Sequence, residues 1–148
     1  MTTNISFRPY TPFDKPVCLA LFDKNCPAFF APNERLDYTS FLDANRRKYE
    51  LCLVEGEIVG AFGLIGRGLQ RKSLHWILLS PNSHGMGIGS SIMDRVSTLA
   101  RTSEVRLITI AASHKSAPFF ARFGAIEVST IENGWGPGMH RVDMELRL

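Results

Sequence analysis

The most constraining feature of the sequence is a strand–loop–helix–strand unit over residues 73–112. Residues 73–79 are mostly apolar on both faces, which is typical of a central strand covered on both sides. Residues 87–100 carry apolar side chains along one helical stripe, and residues 105–112 form a second, nearly continuous apolar strand. Two strands joined through a helix lie parallel with a right-handed crossover. The unit therefore predicts an α/β fold.

The rest of the chain predicts antiparallel strands and flanking helices. Residues 49–54 and 58–65 flank a Glu-Gly-Glu segment, which indicates a hairpin. A length of 148 residues suits one domain over 1–148 with a mixed sheet of about seven strands and about four helices. The other predicted elements are a strand over 5–8, helices from Thr11 and over 33–47, a short helix over 117–123, and strands over 128–131 and 142–146 around a glycine-rich turn over 134–138.

Composition excludes several classes of protein. Lys and Arg exceed Asp and Glu only by 17 to 14, which is too weak and scattered a charge for a nucleic-acid or membrane surface. The N-terminus has no apolar signal segment, and no apolar run is long enough to span a bilayer. Cys18, Cys26 and Cys52 lack metal-ligand spacing, so we expect free thiols in a reducing compartment. These features predict a cytoplasmic protein without a metal.

The loop after the first apolar strand carries three alternate glycines, Gly85, Gly87 and Gly89. Glycines let the main chain approach a ligand closely, and the first N–H groups of the next helix lack helical partners. An anion there gains about 0.3–1 kcal/mol, and up to about 2 when partly buried. Ser90 replaces the third glycine of a dinucleotide motif, and the lysine of a Walker loop is missing. The loop predicts a pyrophosphate site, the alternative being a turn that only caps the helix.

Two segments of the chain together resemble the GNAT superfamily of acyl-CoA-dependent N-acyltransferases. In that family a strand that ends in an apolar-x-Pro pattern is followed by the motif [QR]-x-x-G-x-[GA]. Residues 79–81 and 84–89 match this pattern, with His84 in place of Gln or Arg. The second segment, residues 117–124, matches a family block of an alanine, an aromatic pair and a glycine. The resemblance covers roughly residues 49–126.

The resemblance implies an N-acetyltransferase domain whose sheet splays between the fourth and fifth strands around acetyl-CoA. It implies that backbone groups of Leu78 and Leu79 bind the pantetheine arm, that amides of residues 84–90 hold the pyrophosphate, and that His114 and the Phe119–Phe120 pair flank the thiol end. A primary amine of a small molecule or peptide then attacks the thioester directly. A homodimer is left open. The implied cofactor-binding residues are Leu78, Leu79, His84, Gly85, Met86, Gly87, Ile88, Gly89, Ser90, His114, Phe119 and Phe120.

The proton acceptor is harder to identify. An alkyl ammonium has a pKa near 10.4, so exposing its lone pair at pH 7 costs roughly 4–5 kcal/mol. Family members often place a glutamate in the fourth strand, but residues 73–80 contain no acid. His75 is therefore the predicted base, directly or through water, on one face with Ser73, Ile77 and Leu79. Phe120 stands where the family often has a tyrosine acid. Alternative bases are Glu55, Glu57, Asp143 and Glu145.

The acceptor side of the site has three aromatic candidates. Phe29 and Phe30 lie between two prolines and either line an acceptor pocket or belong to the core. Trp135, predicted at a turn tip, either covers the substrate or makes a dimer contact. Lys115 and Arg122 either approach the 3′-phosphate of the cofactor or are simply solvated. Two other functions stay open, a non-catalytic acyl-CoA-binding module and a binder of another phosphate ligand.

Overall fold

A computed structural model describes residues 4–44, 48–66, 70–83 and 87–148 of the chain. His84, Gly85 and Met86 of the predicted pyrophosphate loop lie outside these residues. The strands are β1 (Ile5–Pro9), β2 (Tyr49–Val54), β3 (Glu57–Ile65), β4 (Arg71–Leu79), β5 (Leu107–Ser113), β6 (Ile126–Gly136) and β7 (Met139–Arg147). The helices are α1 (Lys15–Lys24), α2 (Glu34–Ala44), α3 (Ile88–Thr102) and α4 (Ala117–Ala121), with short 3₁₀ turns at Pro12–Asp14 and Pro81–Ser83.

Within the described residues, seven strands form one mixed sheet in the order β1-β2-β3-β4-β5-β7-β6. The pair β4–β5 is parallel and the other neighbours are antiparallel. The parallel pairing runs only from Arg71–Leu107 to Leu74–Ile110. Beyond that point the two strands diverge, although both continue for several residues. The predicted α/β class and the splay between the fourth and fifth strands are confirmed.

The helices cover both faces of the sheet because strand side chains alternate between them. In β3, Ala61 packs with α1 and α2, whereas the neighbouring Phe62 packs with α3 and α4. The first cluster is centred on Cys18, Phe22, Tyr38, Leu42, Leu51 and Leu78. The second is centred on Phe62, Ile88, Ile92, Val96, Ile108 and Phe120. None of the helices in the described ranges has the length and apolar character needed to cross a membrane.

A bulge in β4 changes the face on which its later residues lie. The register with β3 pairs Ala61 with Leu78 but Gly63 with His75, so that two β4 residues oppose one β3 residue. Trp76, at φ 47°, is one of the extra pair. The prediction that His75 shares a face with Ile77 and Leu79 is therefore wrong. His75 stacks on Phe41 of α2 at 6.4 Å, whereas Ile77 and Leu79 pack toward α3 and α4.

A buried hydrogen-bond chain holds the bulge in place. The Tyr49 hydroxyl donates to the Trp76 carbonyl oxygen at 2.6 Å. Its only proton is then used, so the bond of 2.9 Å between the Tyr38 and Tyr49 hydroxyls has Tyr38 as donor. Burial raises the pKa of both phenols, which keeps them protonated as this chain requires.

The hairpin β6–β7 is longer than predicted, and this corrects the position of Trp135. Gly134, Trp135 and Gly136 belong to β6, and the turn is formed by Pro137 and Gly138. Trp135 is half-buried, and its indole N–H donates to the Ala112 carbonyl oxygen at 2.8 Å. The prediction that this tryptophan stands at a turn tip is wrong, because it points back onto β5.

Candidate active site

The splay between β4 and β5 opens a cleft of about 910 Å³, within the size range of small-molecule sites. Its floor consists of residues from β4 and β5, and its walls come from α4, from the segment between α1 and α2, and from β6 and β7. Ser73 and Thr109 form the second-to-last residue pair before the strands diverge, and their hydroxyl oxygens lie 2.6 Å apart. Beyond Leu74, β4 has a strand partner among the described residues only on its β3 side. Its other edge can therefore bond an extended ligand.

The amino end of α3 lies at one end of this cleft. Leu79 and Phe119, which both line the cleft, are the nearest side chains to the Cβ that Gly89 lacks, at 3.7 and 2.6 Å. Gly87 is the N-cap residue, with a left-handed φ of 73°, and none of the side chains in the described ranges caps the helix there. The N–H groups of the first turn are therefore open to an anion. The missing side chain of Gly89 also makes room for the Phe119 ring.

Phe119 and Phe120 of α4 meet edge-to-face at 5.1 Å, and both line the cleft. Phe120 is only 2% exposed and belongs to the core, so it supplies an apolar surface where a tyrosine would supply a proton. The Arg122 guanidinium lies 5.6 Å from the Phe119 ring centre. Arg122 and Lys115 are the cations on this wall of the cleft within the described residues. They give the α4 side a positive potential that suits phosphate groups.

Aromatic side chains form the opposite wall. Phe30 stacks on Trp76 at 6.0 Å and packs at a tilt against Phe22 at 5.1 Å, and Phe29 also lines the cleft. Phe30 therefore packs in the core and also lines the cleft, so both interpretations that the sequence allowed apply to it. Asn25, after α1, donates to the carbonyl oxygens of Leu21 and Leu79 at 2.8 and 2.9 Å. This bond ties the wall to the end of β4.

The tip of the β6–β7 hairpin closes the cleft against the start of α2. The Asn33 side chain donates to the Trp135 carbonyl oxygen at 2.8 Å. A Cβ on Gly136 would collide with Asn33 and Ala31, so the two segments are in close contact. The Arg141 guanidinium lies 5.3 Å from the Trp135 ring and donates to Asp143 at 2.8 Å. The contacts with Asn33 and with Arg141 thus hold Trp135 in the wall of the cleft.

Glu34 is a cleft residue that the sequence did not indicate as functional. Its side chain lines the cleft although the residue is only 4% exposed. Oε2 accepts the Ala31 N–H at 2.7 Å, as a glutamate in the first turn of a helix often does. Burial is the main cause that raises the pKa of Glu34 to about 7, opposed by this hydrogen bond. A capping glutamate and a functional one have the same sequence signature, so only the cavity distinguishes them.

The predicted site residues that the structure describes fall into three groups. Those that line the cleft are Phe29, Phe30, His75, Leu79, Phe119, Phe120 and Trp135. Those at the amino end of α3 are Gly87, Ile88, Gly89 and Ser90, of which Ile88 is buried in the core. The remaining two are separate, since the Leu78 side chain packs toward α1 and α2, and the His114 ring lies 4.5 Å from His140. The alternative bases Asp143 and Glu145 also line the cleft. No group of three metal-ligating side chains occurs in the described part of the chain.

Comparison with known proteins adds a family and a fold. The sequence model of the acetyltransferase (GNAT) family matches residues 18–125. A search of curated proteins finds no match. Ard1 from Thermoplasma volcanium superposes with a TM-score of 0.81 at 13% identity, over 97% of each chain. A GCN5-related N-acetyltransferase from Rhodopseudomonas palustris gives 0.74 at 22% identity, over 100% of this chain and 99% of that chain. An aminoglycoside 6′-N-acetyltransferase in complex with coenzyme A gives 0.74 at 13% identity, over 96% of each.

Proposed function

The chain belongs to the acetyltransferase (GNAT) family, and from this membership we propose that it transfers an acetyl group from acetyl-CoA to a primary amine of a small molecule or peptide. We also propose that residues 1–148 act as a single acetyltransferase domain. The observation that carries the proposal is the cleft at the β4–β5 splay, which has an uncapped helix N-terminus at one end and a closed aromatic wall at the other. A structurally similar acetyltransferase that binds coenzyme A supports the choice of donor.

In this proposal, acetyl-CoA lies with its diphosphate at the first turn of α3. The main-chain amides of Gly87, Gly89 and Ser90, together with those of the preceding loop residues His84, Gly85 and Met86, bind the phosphate oxygens. Lys115 and Arg122 add positive potential from α4. The pantetheine arm follows the open edge of β4 near Leu78 and Leu79, and the Phe119 and Phe120 rings exclude water beside the thioester.

The acceptor amine occupies the opposite part of the cleft, between the aromatic wall and β4. There it must lose a proton before its lone pair attacks the thioester carbonyl carbon and the carbon–sulfur bond breaks. His75 lies at the cleft beside the bulge and is the proposed base, directly or through a water molecule. Phe120 provides no acid, so the thiolate, with a pKa near 8.5 for a thiol, leaves without a protein proton donor.

The test is a transfer assay with the purified chain, acetyl-CoA and a panel of primary amines, in which free coenzyme A and the acetylated amine are both measured. We expect equal amounts of the two products with at least one amine. Binding of acetyl-CoA without transfer to any amine and without hydrolysis would instead make the chain a non-catalytic acyl-CoA-binding module. Preferential binding of ATP or NAD over acetyl-CoA in calorimetry would overturn the proposed donor.

A further inference from the structure

The acceptor side of the cleft contains one carboxylate whose charge the protein does not balance. Glu34 takes part in no ion pair within the described residues, and no cation contributes to its pKa shift. The other acids of the cleft are different, since Arg141 pairs with Asp143 at 2.8 Å and Arg147 lies 3.7 Å from Glu145. A buried carboxylate without a cation is unfavourable, so it is stabilised either by taking up a proton or by binding a cationic group.

One oxygen of Glu34 is available to such a group. Oε2 holds the Ala31 N–H, and none of the described residues donates to Oε1. The described part of the chain contains no buried side-chain oxygen without a hydrogen-bond partner. Oε1 must therefore be accessible, and the surface that Glu34 shares is that of the cleft. The carboxylate is also held in place by its bond to Ala31, so it is oriented before any ligand binds.

The surroundings of Glu34 restrict the ligand further. Phe29 and Phe30 precede Glu34 in the chain, and Trp76 stacks on Phe30. The Trp135 carbonyl oxygen accepts a hydrogen bond from Asn33, the residue next to Glu34. Aromatic faces attract cations and bind flat apolar groups. The surface is therefore suited to a molecule with a cationic end and an aromatic or apolar body.

We propose that Glu34 binds the ammonium group of the acceptor through Oε1, and that the acceptor is a small arylalkyl or alkyl amine whose body lies against Phe30, Trp76 and Trp135. This inference rests on the proposed acetyltransferase function and names the substrate class of the same site. Glu34 acts here in binding and selection. It discriminates against neutral compounds of the same shape, because only a cation balances its buried charge.

The effects of other charged groups near this site must be distinguished from that of Glu34. On α2 they are Asp37 and Arg35, of which Arg35 is bonded to Asp23 of α1 at 2.8 Å. On the other elements lining the cleft they are His75 of β4, Asp143, Glu145 and Arg141 of β7, and Lys115 and Arg122 of the α4 region. Cys26, after α1, has a pKa raised by burial and by the Asp23 and Glu34 charges. It is neutral near pH 7.

The probes are 2-phenylethylamine and its neutral analogue 2-phenylethanol, titrated into the wild-type chain at pH 8. The chain has two tryptophans, and both line the cleft, so their fluorescence reports binding at this site. We expect the amine to bind about tenfold or more tightly than the alcohol, as is usual for a charged hydrogen bond. In Glu34→Gln the amide oxygen still accepts the Ala31 N–H, and the preference for the amine falls below about threefold.

Asp37→Asn is the matched control, since Asp37 is an exposed acid on the same helix that does not line the cleft. Its charge is the smallest of the causes that act on the pKa of Glu34, so this variant should still bind the amine about tenfold or more tightly than the alcohol. In the wild-type chain the preference should also shrink as pH falls from 8 to 5.5, because Glu34 gains a proton in this range. Whatever the affinity of His75→Ala for the amine at pH 8, its preference should shrink by the same factor between pH 8 and 5.5, which assigns the titration to Glu34. This wild-type measurement keeps the test valid if Glu34→Gln fails to fold.

Equal binding of amine and alcohol by the wild type, or an undiminished preference in Glu34→Gln, would overturn the inference. So would the absence of binding of either probe. These readouts need no acetyl transfer. A chain that acetylates other amines but shows no preference here would refute only the role of Glu34, and a chain that shows the preference but never transfers acetyl would refute only the proposed function.

Discussion

At the scale of single residues, the proton on Glu34 links the cleft to the stability of the fold. Burial raises the pKa of this carboxyl from 4.5 to about 7, so the folded chain keeps a proton that the unfolded chain has already released. The native state then binds more protons, and the free energy of unfolding falls as pH rises across this interval, by up to about 3 kcal/mol. Asp14 is ionised throughout, since its hydrogen bonds with Arg8 hold its pKa at about 2.

Replacing Glu34 by Gln should remove this pH dependence. We expect Glu34→Gln to be more stable than the wild type at pH 8, by about 1–3 kcal/mol, and nearly equal to it at pH 5. Urea denaturation at the two pH values measures the difference, with Asp37→Asn as control. The same stability difference at both pH values would show that Glu34 does not carry an unfavourable charge in the folded chain.

His75 is the other residue whose role can be isolated. The substitution His75→Ala should lower kcat by about 10²- to 10⁴-fold if the imidazole accepts the proton of the amine. The Kd of acetyl-CoA, measured by calorimetry, should not change. Phe41→Leu is the control for packing, because it removes the ring on which His75 stacks but leaves the imidazole. Wild-type turnover in His75→Ala would remove this residue from the mechanism.

At the scale of elements, the bulge in β4 depends on the hydroxyl of Tyr49. In Tyr49→Phe the Trp76 carbonyl oxygen and the Tyr38 hydroxyl both lose a partner, which should cost about 1–3 kcal/mol of stability per unsatisfied group. Because Trp76 and His75 line the cleft, we also expect weaker amine binding and slower turnover. Denaturant unfolding and transfer kinetics measure these effects.

The control for that variant is Tyr10→Phe. Tyr10 packs edge-on against Tyr49 at 6.0 Å, but its hydroxyl makes no hydrogen bond with the described residues. It should be nearly as stable and as active as the wild type. If Tyr49→Phe behaved in the same way as Tyr10→Phe, the bulge would not depend on the hydroxyl chain.

A second prediction at this scale concerns the contact between Gly89 of α3 and Phe119 of α4. A methyl group at residue 89 would lie 2.6 Å from Cε1 of Phe119, so Gly89→Ala must displace that ring, which lines the cleft. We expect the Kd of acetyl-CoA to rise about tenfold, equivalent to about 1.4 kcal/mol, while the higher helix propensity of alanine offsets part of the loss of stability. Thr98→Ala, at an exposed position of α3, is the control. An unchanged Kd in Gly89→Ala would show that Phe119 does not border the cofactor.

At the scale of the whole molecule, local pattern was enough to predict the sheet and much of the cleft. The parallel pair follows from one strand–helix–strand unit, and the hairpin β2–β3 from a short turn, here with Glu55 and Gly56 both at positive φ. The α3 terminus follows from its glycines. Each of these features is encoded within one continuous segment of the sequence, and the structure reproduces them near the expected positions.

The remaining features depend on contacts between distant segments. The face of His75 is set by a bulge that Tyr38 and Tyr49 stabilise from two other elements. The direction of Trp135 is set by Ala112 and Asn33, which are 23 and 102 residues away. Glu34 lines the cleft at the place where the β6–β7 tip docks on its neighbours Ala31 and Asn33. No periodicity or motif in the sequence carries that information.

We propose that acetyl-CoA binds in the β4–β5 cleft with its diphosphate at the first turn of α3. A crystal structure of the chain with acetyl-CoA tests it most directly. We expect phosphate oxygens within hydrogen-bonding distance of the amides at residues 87–90, pantetheine along the open edge of β4, and the thioester facing His75. Acetyl-CoA bound elsewhere, or a first turn of α3 without phosphate contacts, would contradict it.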